Sequence, residues 1–291
     1  MKRLVKRVAA IHDLSCFGRT SLAVVVPILS TMGVQVCSLP TAVLSTHTGG
    51  FKGYHFVDLT EHLAATIKHW QELEIEFDCY YSGFLGSPQQ VDIIAHLMDG
   101  YTGEKPLTVI DPVLGDDGRL YQTMNENMVL KMREFIRRAN IITPNFTEAA
   151  YLLKEKFSPE IPVKEIKKWL VRLSEMGPET VIITSVPDCQ DAKNTCVMAY
   201  DRLTKRFWKV SCVYIPAFFP GTGDTFTSVV TGSILQGDSL PIALDRAVQF
   251  ITTAIRASYG FDYPRREGIL LERVLPSLNM PVVAGSYEII E

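Results

Sequence analysis

The chain has 291 residues, 47% hydrophobic and 21% charged, with a formal net charge of −3. That is the composition of a globular protein with enough apolar mass for a sizeable core, and the near-balanced charge without a basic stripe argues against a nucleic-acid partner or an acidic membrane surface. Six scattered cysteines (Cys16, Cys37, Cys79, Cys189, Cys196 and Cys212) form no C-x-x-C pair and accompany no histidine cluster of zinc spacing. They read as free thiols of a reducing, cytoplasmic compartment.

The basic start, Met1 to Asp13, carries too short an apolar run for a signal peptide and reads as a first strand, Leu4–Ile11. No later run approaches the ~20 apolar residues of a membrane span. A helix over Ser21–Met32 follows, stopped by Gly33, then a strand over Val34–Leu39 and a helix over Asp58–Leu73 with apolar residues at Leu59, Leu63, Ile67 and Trp70. The alternation continues through Phe77–Ser82 (strand), Pro88–Met98 (helix), Leu107–Ile110 (strand), Met124–Arg137 (helix) and Asn140–Thr143 (strand). Thr147–Leu153 and Val163–Met176 read as helices, and Thr180–Thr184 as a strand. Such a rhythm predicts an α/β fold, a central, mostly parallel sheet with helices on both faces. One stretch breaks it: Thr195–Tyr200 and Phe207–Ile215 flank Asp201–Lys205 as a β-hairpin. Helices over Asp224–Gln236 and Leu240–Tyr259 close the pattern, and the residues from Gly260 onward give no clear signal. With no repeat and no linker-like tract, one domain spanning residues 1–291 is the expectation.

In open α/β sheets ligands sit at the carboxyl ends of strands, so the loops there carry the functional signal. The strongest is Pro220-Gly221-Thr222-Gly223-Asp224-Thr225-Phe226, opening a helix. Its glycines allow close backbone approach, and the free N–H groups and positive end of the helix favour a phosphate. Asp224 is placed to accept the proton of an attacking hydroxyl; the bland reading is a helix N-cap, and alone that would be as good. Four further polar clusters follow strands: Ser82-Gly83-Phe84-Leu85-Gly86-Ser87, Asp111-Pro112-Val113-Leu114-Gly115-Asp116, Thr143-Pro144-Asn145-Phe146-Thr147-Glu148, and Thr184-Ser185. Any one reads as a solvated turn. Several on one rim point to a site.

In this order and spacing, Asp-Pro-Val-x-Gly-Asp, Thr-Pro-Asn-x-x-Glu and Gly-Thr-Gly-Asp resemble the signatures of the vitamin kinases of the ribokinase-like superfamily. The His12-Asp13-x-x-x-x-Gly18 loop, Ser45-Thr46-His47-Thr48-Gly49 and Ser82-Gly83-Phe84-Leu85-Gly86-Ser87 resemble the pyridoxal/pyridoxamine kinase branch, and the resemblance runs from about Val5 to Tyr259. It implies a three-layer α/β/α sandwich that moves the γ-phosphoryl of ATP to the 5′-hydroxyl of a vitamin B6 vitamer. Asp224 is then the base, and the Gly221–Gly223 backbone the anion hole. Asp116, Asn145 and Glu148 organise Mg²⁺ and its waters, Asp116 and Glu148 as the metal carboxylates. Thr143, Thr184, Ser185 and Thr222 touch the nucleotide, Asp111 supports the metal shell, and Tyr121 lies by the phosphates. Asp13, His47, Thr48 and Phe84 border the vitamin. A homodimer and, in some members, K⁺ activation are also implied.

Two residues depart from the pattern: many pyridoxal kinases carry Ser in place of Asp13 and Tyr in place of Phe84. An acid at the first position suits an amine or a protonated ring nitrogen, so the departures bear on vitamer choice and not on phosphoryl chemistry. The nearest rival is a hydroxymethylpyrimidine (phosphate) kinase of the same fold; those often have Asp in the first loop, but commonly Gly-Thr-Gly-Cys in place of Gly-Thr-Gly-Asp and Met in place of Phe84. Sugar kinases of the superfamily add a β-lid for which Gly33 to Asp58 leaves little room. A non-catalytic vitamin-binding protein on the same fold is the alternative of a different class.

Overall fold

A computed structural model describes residues 4–100, 105–158, 160–187, 194–281 and 285–290; Cys189 falls outside them. The chain forms two compact units, Met1–Leu85 with Ile215–Gly285, and Gly86–Tyr214 with Ser286–Glu291.

The first unit begins with β1 (Arg7–Ser15), α1 (Leu22–Thr31), β2 (Gln35–Leu44), β3 (Phe56–Asp58), α2 (Thr60–Glu72) and β4 (Cys79–Ser82). Strand β1 pairs in parallel with β2 on one side and β4 on the other, and β3 closes the edge antiparallel to β2. From Val8 to Asp13 the strand is buried at every residue, without alternation. Both its faces are therefore covered, as the run of apolar residues predicts for a central parallel strand. It starts at Arg7, not Leu4, whose side chain is fully solvated. Opposite Asp13 the register slips by one: His12 faces Pro40 but Leu14 faces Val43, a bulge in β2 of the kind that re-aims side chains.

The second unit contains α3 (Pro88–Asp99), β5 (Leu107–Ile110), the short pair β6 (Gly115–Asp116) and β7 (Arg119–Leu120), α4 (Glu126–Phe135), β8 (Ile141–Ile142), α5 (Phe146–Leu153), α6 (Val163–Glu175), β9 (Thr180–Pro187), β10 (Asn194–Asp201) and β11 (Arg206–Val213). Strands β5, β8 and β9 run parallel, while β10 and β11 form the expected antiparallel hairpin on β9. Helix α6 buries Ile166, Trp169, Leu170 and Leu173, the i, i+3, i+4, i+7 stripe of an amphipathic helix. Trp169 is 2% exposed and stacks on Phe146, the first residue of α5, with ring centroids 5.3 Å apart.

The chain then returns to the first unit as α7 (Thr222–Gln236) and α8 (Leu240–Tyr259), followed by three 3₁₀ turns, and ends in β12 (Tyr287–Ile289), antiparallel to β11. Helix α7 is buried from Thr225 to Ser233 although it is rich in Ser and Thr. Three of its hydroxyls are satisfied by carbonyls four residues back: Thr225 on Gly221, Ser228 on Asp224, Thr231 on Thr227.

Trp169→Ala is expected to cost about 3–5 kcal/mol by removing the largest fully buried side chain under the α5 N-terminus. Urea unfolding measures it; a loss under about 1 kcal/mol would mean the Trp169–Phe146 stack is not part of the core.

Candidate active site

The entry to α7 starts one turn earlier than its acidic residue suggests. Gly221 is the N-cap, with φ 82°, and Asp224 is the third helical residue. A Cβ on Gly221 would stand 2.0 Å from the Arg19 carbonyl oxygen, so both the left-handed backbone and the close pass of the β1–α1 loop require glycine. Gly223 has negative φ and open space around it, so nothing in the chain itself demands its smallness. The first i→i−4 bond runs from Thr225 N–H to the Gly221 carbonyl. The N–H groups of Thr222, Gly223 and Asp224 therefore lie in the turn that has no intrahelical acceptor, at the positive end of the helix.

Asp224 does not cap its own helix. Its Oδ2 instead accepts from the backbone N–H of Ser21, 2.8 Å away at the start of α1. Its Oδ1 lies 4.0 Å from Nδ1 of His12, and the side chain keeps 15% exposure, enough for a ligand atom to reach. Burial pushes the Asp224 carboxyl up to about 7; the Ser21 N–H pulls against that, and the charge of Asp13 adds to it. His12 is wholly buried, neither ring nitrogen has a hydrogen-bond partner, and burial holds it neutral, its pKa lowered to about 3. It packs edge-on to Tyr81, whose hydroxyl donates to the Asp224 carbonyl, and lies so close to Gly83 that any Cβ there would meet its Nδ1 at 2.3 Å.

Asp13 is 6% exposed and accepts two hydroxyl bonds, from Ser21 Oγ at 2.5 Å and from Ser15 Oγ at 3.2 Å. Burial raises its pKa, and those two donors oppose the rise. Ser21 thus holds both carboxylates at once, from a backbone at φ 51° and ψ −133°. For a residue with a Cβ such a conformation carries strain on the order of 1–3 kcal/mol. Ser21 and Tyr81 are not legible as site residues, and His12 only as a member of the first-loop motif; a serine at positive φ leaves no mark in a sequence.

His47 is fully engaged within the chain. Its Nε2–H donates to the Arg266 carbonyl at 2.6 Å, and its Nδ1 accepts from Gly49 N–H at 3.1 Å, which fixes the neutral tautomer. The ring packs edge-on against Phe51 at 5.0 Å. Thr48 beside it is exposed, and Phe84 is half-buried, its carbonyl accepting from Thr41 Oγ1.

In the second unit the strand-end clusters meet at the start of α5. Asn145 and Glu148 form a capping box: Asn145 Oδ1 accepts from Glu148 N–H and Glu148 Oε2 from Asn145 N–H. Glu148 Oε1 also takes the N–H groups of Leu114 and Gly115, and Asn145 Nδ2 donates to the Gly115 carbonyl, tying the 111–116 loop to the helix. Strand β9 continues past Thr184 to Pro187, with a bulge in which Thr184 and Ser185 together oppose Val197; Ser185 takes φ 56°. Thr184 N–H donates to the Pro144 carbonyl and its residue bridges to Asn145, while Thr143 is buried and Tyr121 is 37% exposed. Asp116 is half-buried in β6, Oδ1 accepting from Asp117 N–H, its carboxyl raised by burial.

Among the described residues no three His, Cys, Asp or Glu side chains form a metal cage. Mg²⁺ does not need one, since it is commonly held by one or two carboxylates together with phosphate oxygens and water. Glu148 is buried, and burial together with the nearby Asp111 charge raises its carboxyl well above the ordinary range. Two carboxylates this close are a fit for a hard cation, which would offset their repulsion.

The shift at Asp224 has a consequence for stability. Folded Asp224 keeps its proton up to about pH 7, whereas an unfolded aspartate loses it near pH 4. The native state is therefore penalised progressively as pH rises through that interval, fully so above it. Asp224→Asn keeps an acceptor for Ser21 N–H and removes the penalty. Its Tm is expected to match wild type below about pH 4 and exceed it by roughly 3–6 °C at pH 8. Equal differences at both pH values would rule out the buried-carboxylate account.

The model of the phosphomethylpyrimidine kinase family matches residues 27–267. The chain is 29% identical over 249 residues to a pyridoxal kinase of Arabidopsis thaliana, covering 79% of this chain and 73% of that protein. It is 27% identical over 221 residues to the hydroxymethylpyrimidine/phosphomethylpyrimidine kinase of Bacillus subtilis, covering 76% and 78%. Among solved structures, a candidate phosphomethylpyrimidine kinase from Bacteroides thetaiotaomicron, in a crystal form with pyridoxal, is 54% identical with TM-score 0.95, covering 98% of this chain and 100% of that one. The pyridoxal kinase of Lactobacillus plantarum is 30% identical with TM-score 0.86, covering 95% and 97%. The chain therefore belongs to the phosphomethylpyrimidine kinase family of phosphotransferases and has the ribokinase-like fold of the vitamin kinases.

Proposed function

We propose that the chain phosphorylates the 5′-hydroxyl of a vitamin B6 vitamer (pyridoxamine, pyridoxal or pyridoxine), with ATP as donor, as a single kinase domain. The observation that carries the reading is Asp224: a reachable carboxylate with its proton affinity raised to about neutral, three residues into a helix whose first N–H groups face outward from a glycine turn. A general base works best with a pKa near the working pH, and phosphoryl transfer asks mainly for position and charge stabilisation. The 54% identical structure carrying pyridoxal supports the pyridine ring as acceptor.

Asp224 takes the proton of the acceptor hydroxyl as its oxygen attacks phosphorus, and the N–H groups of Thr222, Gly223 and Asp224 receive the charge that builds on the phosphoryl oxygens. Asp13 and Phe84 border the acceptor ring. His47, with both nitrogens occupied, contributes by fixing the 47–51 loop, beside which Thr48 is exposed. In the second unit, Asp111, Asp116, Tyr121, Thr143, Asn145, Glu148, Thr184 and Ser185 hold the nucleotide, and Thr222 meets its phosphates. Glu148, Asp111 and Asp116 hold Mg²⁺, which when bound neutralises phosphate charge. The reading extends to a homodimer, K⁺ activation and a cytoplasmic setting; the five described cysteines, all free, accord with the last.

A second reading, hydroxymethylpyrimidine phosphorylation, is favoured by the family match and the Bacillus subtilis relative. Assay of the three vitamers and hydroxymethylpyrimidine side by side with Mg·ATP separates the two; turnover on the pyrimidine alone would overturn the B6 reading. On the preferred acceptor, kcat/KM is expected to fall tenfold per pH unit below about 7 and to level off above it. Asp224→Asn is expected to reduce kcat by about 10²–10⁴-fold with the fold intact. Wild-type turnover in that variant would remove Asp224 as the base.

A further inference from the structure

A serine at a helix start normally turns its hydroxyl onto the N–H groups of its own first turn. Ser21 does not: α1 has no side-chain cap bond, and the hydroxyl goes to Asp13 Oδ1 at 2.5 Å instead. It also holds a backbone conformation that glycine adopts without strain and serine does not, φ 51° with ψ −133°. Neither choice serves α1. Both serve the two carboxylates: the strained backbone aims the N–H at Asp224 Oδ2, 2.8 Å away, while the side chain reaches Asp13 on β1. Strain retained where a helix would fold better without it marks a residue held for its contacts.

We propose that Ser21 is a positioning residue for the phosphoryl transfer, fixing Asp224 through its N–H so that Oδ1 is the oxygen that takes the substrate proton, and coupling Asp13 to the same base through its hydroxyl. The inference rests on Asp224 being the base and Asp13 bordering the acceptor. With Oδ2 occupied, the open oxygen of Asp224 is Oδ1. The groups facing Asp224 are Asp13 and His12 from β1 and Tyr81 from β4; His12 is neutral, and Arg19 nearby pairs with Glu272 at 2.9 Å. Asp13 is thus the nearby charge that adds to the proton affinity burial gives Asp224. The Ser21 hydroxyl favours the ionised form of Asp13, and ionised Asp13 makes Asp224 a stronger base.

The test compares Ser21→Gly, Ser21→Ala, Asp13→Asn and the double variant Asp13→Asn/Ser21→Gly. Glycine keeps the N–H, removes the hydroxyl and relieves the strain; alanine keeps the strain, so the pair separates loss of the hydroxyl from relaxed backbone. Without the hydroxyl, Asp13 holds its proton to higher pH, its charge at neutrality falls, and Asp224 becomes a weaker base. The acid limb of kcat/KM is therefore expected about one pH unit lower in both serine variants and in Asp13→Asn, with no further movement in the double variant. A limb that moves in Asp13→Asn but stays at the wild-type pH in both serine variants would overturn the proposal, leaving Ser21 a packing residue. Additive shifts in the double variant would overturn the coupling through Asp13. Titration of ¹³C-labelled aspartate carboxyls by NMR reads the same shifts without turnover. A Ser21-dependent change there in a protein that phosphorylates no vitamer would uphold the coupling while removing the proposed function.

Discussion

The site turns on a carboxylate that is buried yet supported by a single backbone N–H. Asp224 receives one such bond, from Ser21, and lies beside another carboxylate and a neutral imidazole. A carboxylate that collects two or three backbone N–H bonds can become a very weak base. At Asp224 burial outweighs the one donor that opposes it, and the charge of Asp13 adds to the rise. That economy depends on the glycine turn at Gly221, which lets the Arg19 carbonyl pass within contact distance and brings the β1–α1 loop, with Ser21, against the head of α7. Any side chain at Gly221 would part the two.

Glu148 is the instructive contrast. It accepts three backbone N–H groups, from Leu114, Gly115 and Asn145, and its proton affinity is nonetheless raised, because it is buried more completely and Asp111 lies close. Its bonds are structural first: they join the 111–116 loop to the head of α5, where Phe146 rests on Trp169. A change at Glu148 therefore disturbs the architecture that joins the loop to the helix. At Asp224, by contrast, an amide keeps the one bond that matters to the fold.

Much of the fold was legible because it follows from local pattern. The strand at Leu107–Ile110 and the helix at Leu240–Tyr259 lie where periodicity places them, and the hairpin of β10 and β11 follows from two apolar runs around Asp201–Lys205. What escaped is set by tertiary contact. The bulge at Thr184–Ser185, the slip opposite Asp13, the two-residue strands β6 and β7, and β12 are too short or too irregular to imprint a period. The role of Asp224 as an N-cap, plausible from Gly-Thr-Gly-Asp alone, gives way because the helix begins at Thr222 and the Ser21 N–H comes from a residue 203 positions away. The bland reading of His47 as a satisfied loop histidine describes its hydrogen bonds well, since both nitrogens are occupied.

Under the proposed function, recognition and chemistry share the one charge of Asp13. An ionised carboxylate only accepts hydrogen bonds, and both of its protein partners, Ser15 and Ser21, are donors that can supply nothing to a ligand through that bond. A ligand group meeting Asp13 must therefore bring its own proton, as a protonated ring nitrogen, an amine or a hydroxyl does. A neutral pyridine nitrogen would face an acceptor. Aminopyrimidines and protonated pyridine vitamers both satisfy that demand, so Asp13 alone does not separate the two acceptor classes. Under the proposed function, the position that differs between the two classes is that of Asp224. A thiol in place of the Asp224 carboxyl would be neutral at a site where burial raises thiol pKa values further, as it does at Cys79. With a carboxylate, the same burial brings the pKa of Asp224 to about 7 instead of removing it from reach, and the charge of Asp13 adds to that rise.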